Sequence, residues 1–147
     1  MAKLIDTCAH ELMDTAPQII QAIRMEMRRG RGSDISIPQF RSLAFIQHNP
    51  DSSLSNLAEH LGLTLPSVSK LVDGLVKQKL VIRRESTSDR RRLTLVLTKA
   101  GALIVDSARA GTQVNLAKKL GHLSDEELGT IYQAMKLLRP VFINQGR

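Results

Sequence analysis

Thirty consecutive residues, numbers 70 to 99, hold almost all of the excess positive charge of this 147-residue chain. They contain nine basic and three acidic side chains, a net charge of +6 against +7 for the whole chain. The nine are Lys70, Lys77, Lys79, Arg83, Arg84, Arg90, Arg91, Arg92 and Lys99. Such a cluster complements a polyanion when its members share a surface, whereas many charge runs are only solvated faces. The secondary structure elements that carry these side chains determine whether they form a polyanion-binding surface or a solvated face.

Two short helices separated by a glycine turn lead into the basic segment. Ser53 can cap the first helix, and Gly62 ends it. Asn56 stands where a capping box has Glu or Gln, so we expect only half of that device. Thr64 can cap the second helix, whose first turn tolerates Pro66. Its predicted inward face consists of Val68, Leu71, Val72, Leu75 and Val76.

A β-hairpin with a basic tip is predicted after the second helix. The spacing of apolar residues changes from about 3.6 to about two over residues 80–85 and 93–97, which are rich in β-branched side chains. The polar residues 86–92 between them form the turn and include three arginines. Two helices and a basic hairpin in this order predict a winged helix-turn-helix that binds double-stranded DNA.

The chemistry of a duplex assigns roles to these side chains. The N-terminal residues of a groove-binding helix meet the base edges. In this chain those residues are Pro66, Ser67, Ser69 and Lys70. The hairpin would lie along the DNA backbone and direct an arginine into the minor groove. Phosphate contacts are expected from Lys77, Arg83, Arg84, Lys99 and the hairpin tip.

Long helices are predicted on both sides of this domain. Apolar residues recur every three or four positions from Leu4 to Met27, and Pro17 predicts a kink or a break into two helices. Thr98 and Ser124 can cap two C-terminal helices. The fold class is therefore mainly α with a small β-hairpin wing. We divide the chain into an N-terminal dimerisation helix (1–33), a winged helix-turn-helix domain (34–99) and C-terminal dimerisation helices (100–147).

The terminal helices also predict self-association. They carry more apolar positions than a winged domain of roughly 65 residues could cover, and apolar patches of that extent usually mark an interface. Twofold pairing would place two groove-binding helices about one DNA turn apart. We expect a homodimer.

Several motifs of the chain resemble those of the MarR family of bacterial transcriptional regulators. They are Leu57-Ala58-Glu59-His60-Leu61-Gly62-Leu63, Val68-Ser69-Lys70-Leu71-Val72-Asp73, Ser88-Asp89-Arg90-Arg91-Arg92 and Leu97-Thr98-Lys99-Ala100-Gly101. The resemblance extends over nearly the whole chain, and the Asp-Arg-Arg turn followed by Leu-Thr-Lys-x-Gly is its most distinctive part. It implies a homodimer with intertwined terminal helices, a pseudo-palindromic operator, and release from DNA by a small molecule or an oxidant.

The resemblance also implies roles for single residues. Arg90 and Arg91 match the wing-tip positions, and Asp89 matches the acid that steadies a wing arginine. Two positions depart from the family pattern. Gly74 stands where an arginine is common, so a phosphate contact is expected to be missing. Gln78-Lys79 replaces the glycine that usually precedes the strand.

Three further groups of side chains each allow two interpretations. Arg24, Arg28, Arg41 and His48 could bind a carboxylate of a small-molecule effector, which could be an aromatic or a carboxylate compound, or they could be solvated cations. Cys8, the sole cysteine, could sense oxidants, but its place on the apolar stripe favours a buried thiol. Cys8 and His10 lie two positions apart on a helix and so point to different faces, which disfavours a zinc site with the other histidines.

Other classes of protein fit the sequence less well. We find no set of nucleophile, base and acid, no glycine-rich phosphate loop and no metal-ligand cluster, so we expect neither an enzyme nor a bound cofactor. Aromatic residues make up only 3%, which disfavours an RNA-binding protein, although non-specific DNA compaction remains an alternative to operator binding. One cysteine and no long apolar stretch lead us to expect a cytoplasmic protein with no membrane contact.

Overall fold

A computed structural model describes residues 2–32, 34–86, 89 and 91–143. Their elements, in chain order, are α1 (Ala2–Arg29), α2 (Ile37–His48), α3 (Leu54–Leu61), α4 (Leu65–Lys77), β1 (Val81–Glu85), β2 (Leu93–Leu97), α5 (Lys99–Leu120) and α6 (Asp125–Ile143). The fold is mainly helical with one β-hairpin, as the sequence predicts. Among the helices of these residues, none combines the length and the hydropathy needed to cross a membrane.

The chain forms two compact units, residues 1–112 and 113–147. The first unit contains α1 to β2 and most of α5, and the second contains the end of α5 and α6. These two units are defined by packing alone. The division into dimerisation and DNA-binding segments made from the sequence concerns function, and it stays a prediction.

The core of the first unit lies between α2, α3, α4, the hairpin and α5. Each of these elements buries apolar side chains on one face. The members that are no more than 3% exposed are Phe40, Leu43, Ile46, Leu57, Val68, Val72, Leu75, Val81, Leu95, Val105 and Ala108. The predicted inward face of α4 is confirmed, with Leu71 and Val76 half-buried at its edges.

Side-chain caps start the helices at the predicted residues. Ser53, Thr64, Thr98 and Ser124 each accept a backbone N–H from three residues further on. The prediction of half a capping box at α3 is wrong, since the Asn56 amide oxygen accepts the Ser53 N–H at 2.9 Å and completes the box. An asparagine is thus long enough to replace Glu or Gln here.

The glycine turn between α3 and α4 is confirmed as well. Gly62 adopts a left-handed conformation, with φ of +68°, and its N–H bonds back to α3. Leu63 then donates its N–H to the Ala58 carbonyl, which closes the end of α3. This turn fixes the angle at which α4 leaves α3.

The hairpin pairs β1 and β2 antiparallel, with Val81 opposite Leu97 and Glu85 opposite Leu93. The Leu95 N–H donates to the Ser52 carbonyl at 3.0 Å, so the turn before α3 continues the hydrogen-bond ladder. We call β1, β2 and residues 86–92 the wing. Both predicted strands are confirmed.

Helix α1 differs from the sequence expectations in two places. Pro17 lies inside one helix that runs from Ala2 to Arg29, so the predicted break into two helices is wrong, and the alternative of a kink stays a prediction. Cys8 is exposed in the single chain, whereas the sequence favours a buried thiol. The apolar stripe on which it lies is largely uncovered.

Gly101 allows α5 to approach β1 closely. A Cβ atom at this position would lie 2.2 Å from the Leu80 carbonyl oxygen, which also accepts the Thr98 N–H at 3.0 Å. Only a residue without a side chain fits between the first turn of α5 and this carbonyl. The contact joins the base of the wing to α5.

Gly101→Ala is expected to destabilise the protein by about 1–3 kcal/mol, because the added methyl forces α5 away from the wing. The matched control is Gly111→Ala on the same helix, where a Cβ meets no atom within 4 Å. That change should stabilise by roughly 0.5–1 kcal/mol through helix propensity. Thermal melting of the two variants measures the difference, and equal shifts would contradict the close approach.

Candidate nucleic-acid interface

The packing of α4 determines which of its side chains reach solvent. Val68, Val72 and Leu75 have no exposed surface, so the opposite face of the helix points outward. Five residues of this helix are predicted to contact DNA. Four of them, Pro66, Ser67, Lys70 and Lys77, have exposed side chains, whereas Ser69 is half-buried at the edge of the outward face. We call α4 the recognition helix from here on.

The N-terminus of the recognition helix is closed by two hydroxyl groups. Thr64 Oγ1 accepts the Ser67 N–H at 3.3 Å and donates to Ser67 Oγ at 2.8 Å. Ser67 is therefore part of the cap as well as a predicted base contact. Its own hydroxyl proton is left to donate toward solvent.

An ion pair ties the wing to the recognition helix. The Arg83 guanidinium donates to the Asp73 carboxylate at 2.5 Å, from β1 to the outward face of α4. Arg84, the next residue of the strand, is exposed. Arg83 is thus engaged within the protein, and its predicted contact with phosphate stays a prediction.

Backbone and side-chain bonds shape the tip of the wing. Ser86 donates its N–H to the Arg92 carbonyl at 2.8 Å, and the Asp89 carboxylate accepts the Arg91 N–H at 3.0 Å. For Arg91, Asp89 therefore holds the backbone rather than the guanidinium, which leaves that exposed cation available. The predicted contact residue Arg90 lies outside the described residues.

Arg92 differs from its neighbour, because it points back to the helix-turn-helix. Its Nη2 donates to the Asn56 amide oxygen at 2.8 Å and to the Asp51 carbonyl at 3.3 Å. The Ser86 hydroxyl donates to the Asp51 carboxylate at 2.9 Å, from the other side of the wing. We call Asp51, Asn56, Ser86 and Arg92 the wing clamp. Sequence patterns did not reveal it, since its halves lie 35 to 41 residues apart.

A cavity of about 640 Å³ opens between α1, α2 and α3. The four predicted effector residues, Arg24, Arg28, Arg41 and His48, all line it. Its apolar side includes Ile20, Ile23, Met27, Phe40 and Phe45. The His60 ring, which the sequence reasoning missed, also lines the cavity and stacks on Phe45 with 4.5 Å between centroids. Three guanidinium groups beside an apolar wall suit an aromatic anion.

Metal binding finds no support among the described residues. They contain no group of three His, Cys, Asp or Glu side chains that could hold an ion. His10, which the sequence places near Cys8, lies 3.1 Å from the Asp14 carboxylate one helical turn further on.

Comparison with known proteins places this geometry in a family. A family model described as "MarR family" matches residues 33–92, from the start of the helix-turn-helix to the wing. The HTH-type transcriptional regulator YfiV of Bacillus subtilis is 30% identical over 105 residues, which cover 71% of this chain and 66% of that protein, just under two thirds. The HTH-type transcriptional repressor MdtR of the same species is 26% identical, over 86% of this chain and 82% of that protein.

Solved structures share the same architecture. The transcriptional regulator Tm0710 of Thermotoga maritima matches with a TM-score of 0.78 and 23% identity, over 90% of this chain and 94% of that chain. FabT of Streptococcus pneumoniae, crystallised in complex with DNA, matches with a TM-score of 0.58 and 24% identity, over 98% and 99% of the two chains. The capped recognition helix and the basic residues of its wing lie within residues 33–92, so this part of the chain is identified as a MarR-family winged helix-turn-helix, and the relatives that the chain resembles are named transcriptional regulators.

Proposed function

We propose that this protein is a homodimeric repressor that binds a pseudo-palindromic operator in double-stranded DNA and is released by a small anionic aromatic molecule. The observation that carries the proposal is the ion pair between Asp73 and Arg83. It joins the outward face of the recognition helix to the basic wing, so both elements can engage one duplex together. A groove contact and a backbone contact from one rigid body define a single register on DNA.

The positions of the side chains divide their roles. Ser67, Ser69 and Lys70 lie in the first two turns of the recognition helix, where base edges are met. Lys77 at the end of that helix, Lys99 and Arg84 are exposed cations for phosphates, and Arg91 extends the set at the wing tip. Two proteins that this chain resembles support the class of partner: MdtR is named a repressor, and FabT was crystallised with DNA.

The apolar surfaces of α1 and α6 support a homodimer. Every residue of α6 is described and none is buried. Its large apolar side chains Leu137, Phe142 and Ile143 are 62–73% exposed. In α1, Leu4, Ile5 and Met13 are 66–75% exposed. Water contact with so many large apolar side chains is unfavourable, and a second copy of the chain would remove it.

Selection of bound duplexes from a random pool tests this function. We expect an inverted repeat whose half-site centres lie about 10 base pairs apart, preferred over random duplex by at least about 10³-fold at physiological salt. Light scattering on the free protein should give about twice the 16.3 kDa chain mass. Enrichment of no sequence would instead indicate a non-specific DNA-compacting protein, and a monomeric mass at micromolar concentration would contradict the dimer.

Arg91→Ala and Arg92→Ala should weaken operator binding in different ways. Loss of the free Arg91 cation removes a phosphate contact, so the slope of log affinity against log salt should fall by roughly 1 per copy removed. Loss of Arg92 releases the wing clamp, so affinity should fall while the slope stays unchanged. Fluorescence anisotropy titrations at several salt concentrations measure both quantities.

Arg92→Lys serves as the control for charge in that experiment. It keeps the cation but replaces the planar Nη2 group, which donates to both Asn56 and Asp51, with a tetrahedral ammonium, so we expect it to resemble Arg92→Ala. Full affinity in Arg92→Lys would mean that Arg92 acts on phosphate through its charge. The positioning role of the wing clamp would then be wrong.

Benzoate is a suitable probe for the cavity, because it combines an aromatic ring with a carboxylate. We expect it to raise the melting temperature and to weaken operator binding, whereas uncharged benzamide should do neither. Arg28→Ala should weaken benzoate binding about tenfold or more, since a charge-assisted bond is lost. The adjacent Arg29→Ala is the matched control, because Arg29 does not line the cavity and pairs with Glu26. Equal effects of the two variants would contradict this site.

A further inference from the structure

The first turns of the recognition helix hold only one side chain of the kinds that usually bind purines. Arginine or lysine binds guanine, and asparagine or glutamine binds adenine. Residues 64–70 read Thr-Leu-Pro-Ser-Val-Ser-Lys, so Lys70 is that side chain. Lys70 can account for a guanine, and a sequence preference at further base pairs needs another group.

The hydroxyl groups at this end of the helix already use part of their hydrogen-bonding capacity within the protein. Thr64 and Ser67 bond to each other at 2.8 Å as they cap the helix, and Ser69 is half-buried. Each keeps some capacity for a base or a phosphate, but hydroxyls accept and donate without strong preference. Discrimination between bases needs a further group.

The remaining exposed surface at this end is apolar. Leu65 is the first residue of the recognition helix and is 47% exposed, whereas Val68, three positions later, is fully buried. Pro66 next to it is exposed as well. Because Cα–Cβ bonds of a helix tilt toward its N-terminus, a side chain at the first position extends past the end of the helix. That is the direction of the base edges when a recognition helix enters a major groove.

Thymine offers the chemical complement of this surface. Its C5-methyl is the apolar group that the major-groove edge of a base pair presents, and apolar side chains contact it. We propose that Leu65, supported by Pro66, is a specificity-determining residue that packs against the C5-methyl group of a thymine in each half-site. This inference rests on the proposed operator binding, which supplies the half-sites.

The start of α2 provides a matched control within the same chain. Ser36-Ile37-Pro38 repeats the order of cap, apolar residue and proline found in Thr64-Leu65-Pro66, and Ile37 is 38% exposed. The order itself is therefore a way to begin a helix. Only the copy on the recognition helix is predicted to read a base, because only that helix end enters the groove.

The test uses the operator obtained by selection and replaces each thymine singly by deoxyuridine. This change removes the methyl group and leaves every hydrogen-bonding group of the base pair in place. With the wild-type protein, we expect one or two thymines per half-site at which Kd rises about fourfold, the factor for burying one methyl group. Substitution in both half-sites should raise Kd by about 15-fold. Fluorescence anisotropy measures each Kd.

Protein variants then assign the methyl contact. Leu65→Ala should bind the thymine and deoxyuridine duplexes equally at the sensitive position, whereas Ile37→Ala should keep the wild-type ratio. Leu65→Met retains apolar volume and should restore discrimination. Each ratio compares two duplexes with one protein, so a general loss of stability cancels. If Leu65→Ala does not fold, the shorter Leu65→Val takes its place and should lower the ratio.

The possible failures separate the two proposals. If an operator is selected but no thymine responds to loss of its methyl group, the role of Leu65 is wrong and operator binding stands. If a thymine responds and the Leu65→Ala ratio remains fourfold, another residue contacts the methyl and the inference is also wrong. If selection enriches no sequence, the proposed function itself fails.

Discussion

Burial of one face of the recognition helix is the interaction on which the DNA-binding surface depends. Val68, Val72 and Leu75 have no exposed surface, and burial of each contributes roughly 1.5–3 kcal/mol. Rotation of α4 about its axis would expose these side chains. The packing therefore fixes the rotation of the helix, and with it the outward direction of Ser67, Lys70 and Lys77.

The wing obtains its position from polar contacts added to that core. Arg83 bonds to Asp73 on the recognition helix, and Arg92 bonds to Asn56 at the start of α3. The Asn56 amide oxygen also accepts the Ser53 N–H, so the cap of α3 and the wing clamp share one acceptor. Two arginines of the basic segment thus position the wing, while Arg84 and Arg91 remain exposed for a polyanion.

The cavity and the apolar helices extend the same protein beyond DNA binding. His60 stacks on Phe45 at the cavity wall, and α3 carries both this ring and Asn56 of the wing clamp. A single short helix therefore contacts both the proposed effector site and the wing. The exposed apolar side chains of α1 and α6 show that a lone chain leaves much apolar surface in water.

The sequence alone determined the helices, the strands, the caps at Ser53, Thr64, Thr98 and Ser124, and the buried face of α4. These features follow from interactions within about four residues or from the period of apolar residues, both visible in a linear chain. Tertiary structure decided the rest. The wing clamp and the pair between Asp73 and Arg83 join residues 10 to 41 positions apart, and Cys8 is exposed in the single chain although its place on the apolar stripe favours burial. Such contacts depend on how elements meet in space, which no local pattern encodes.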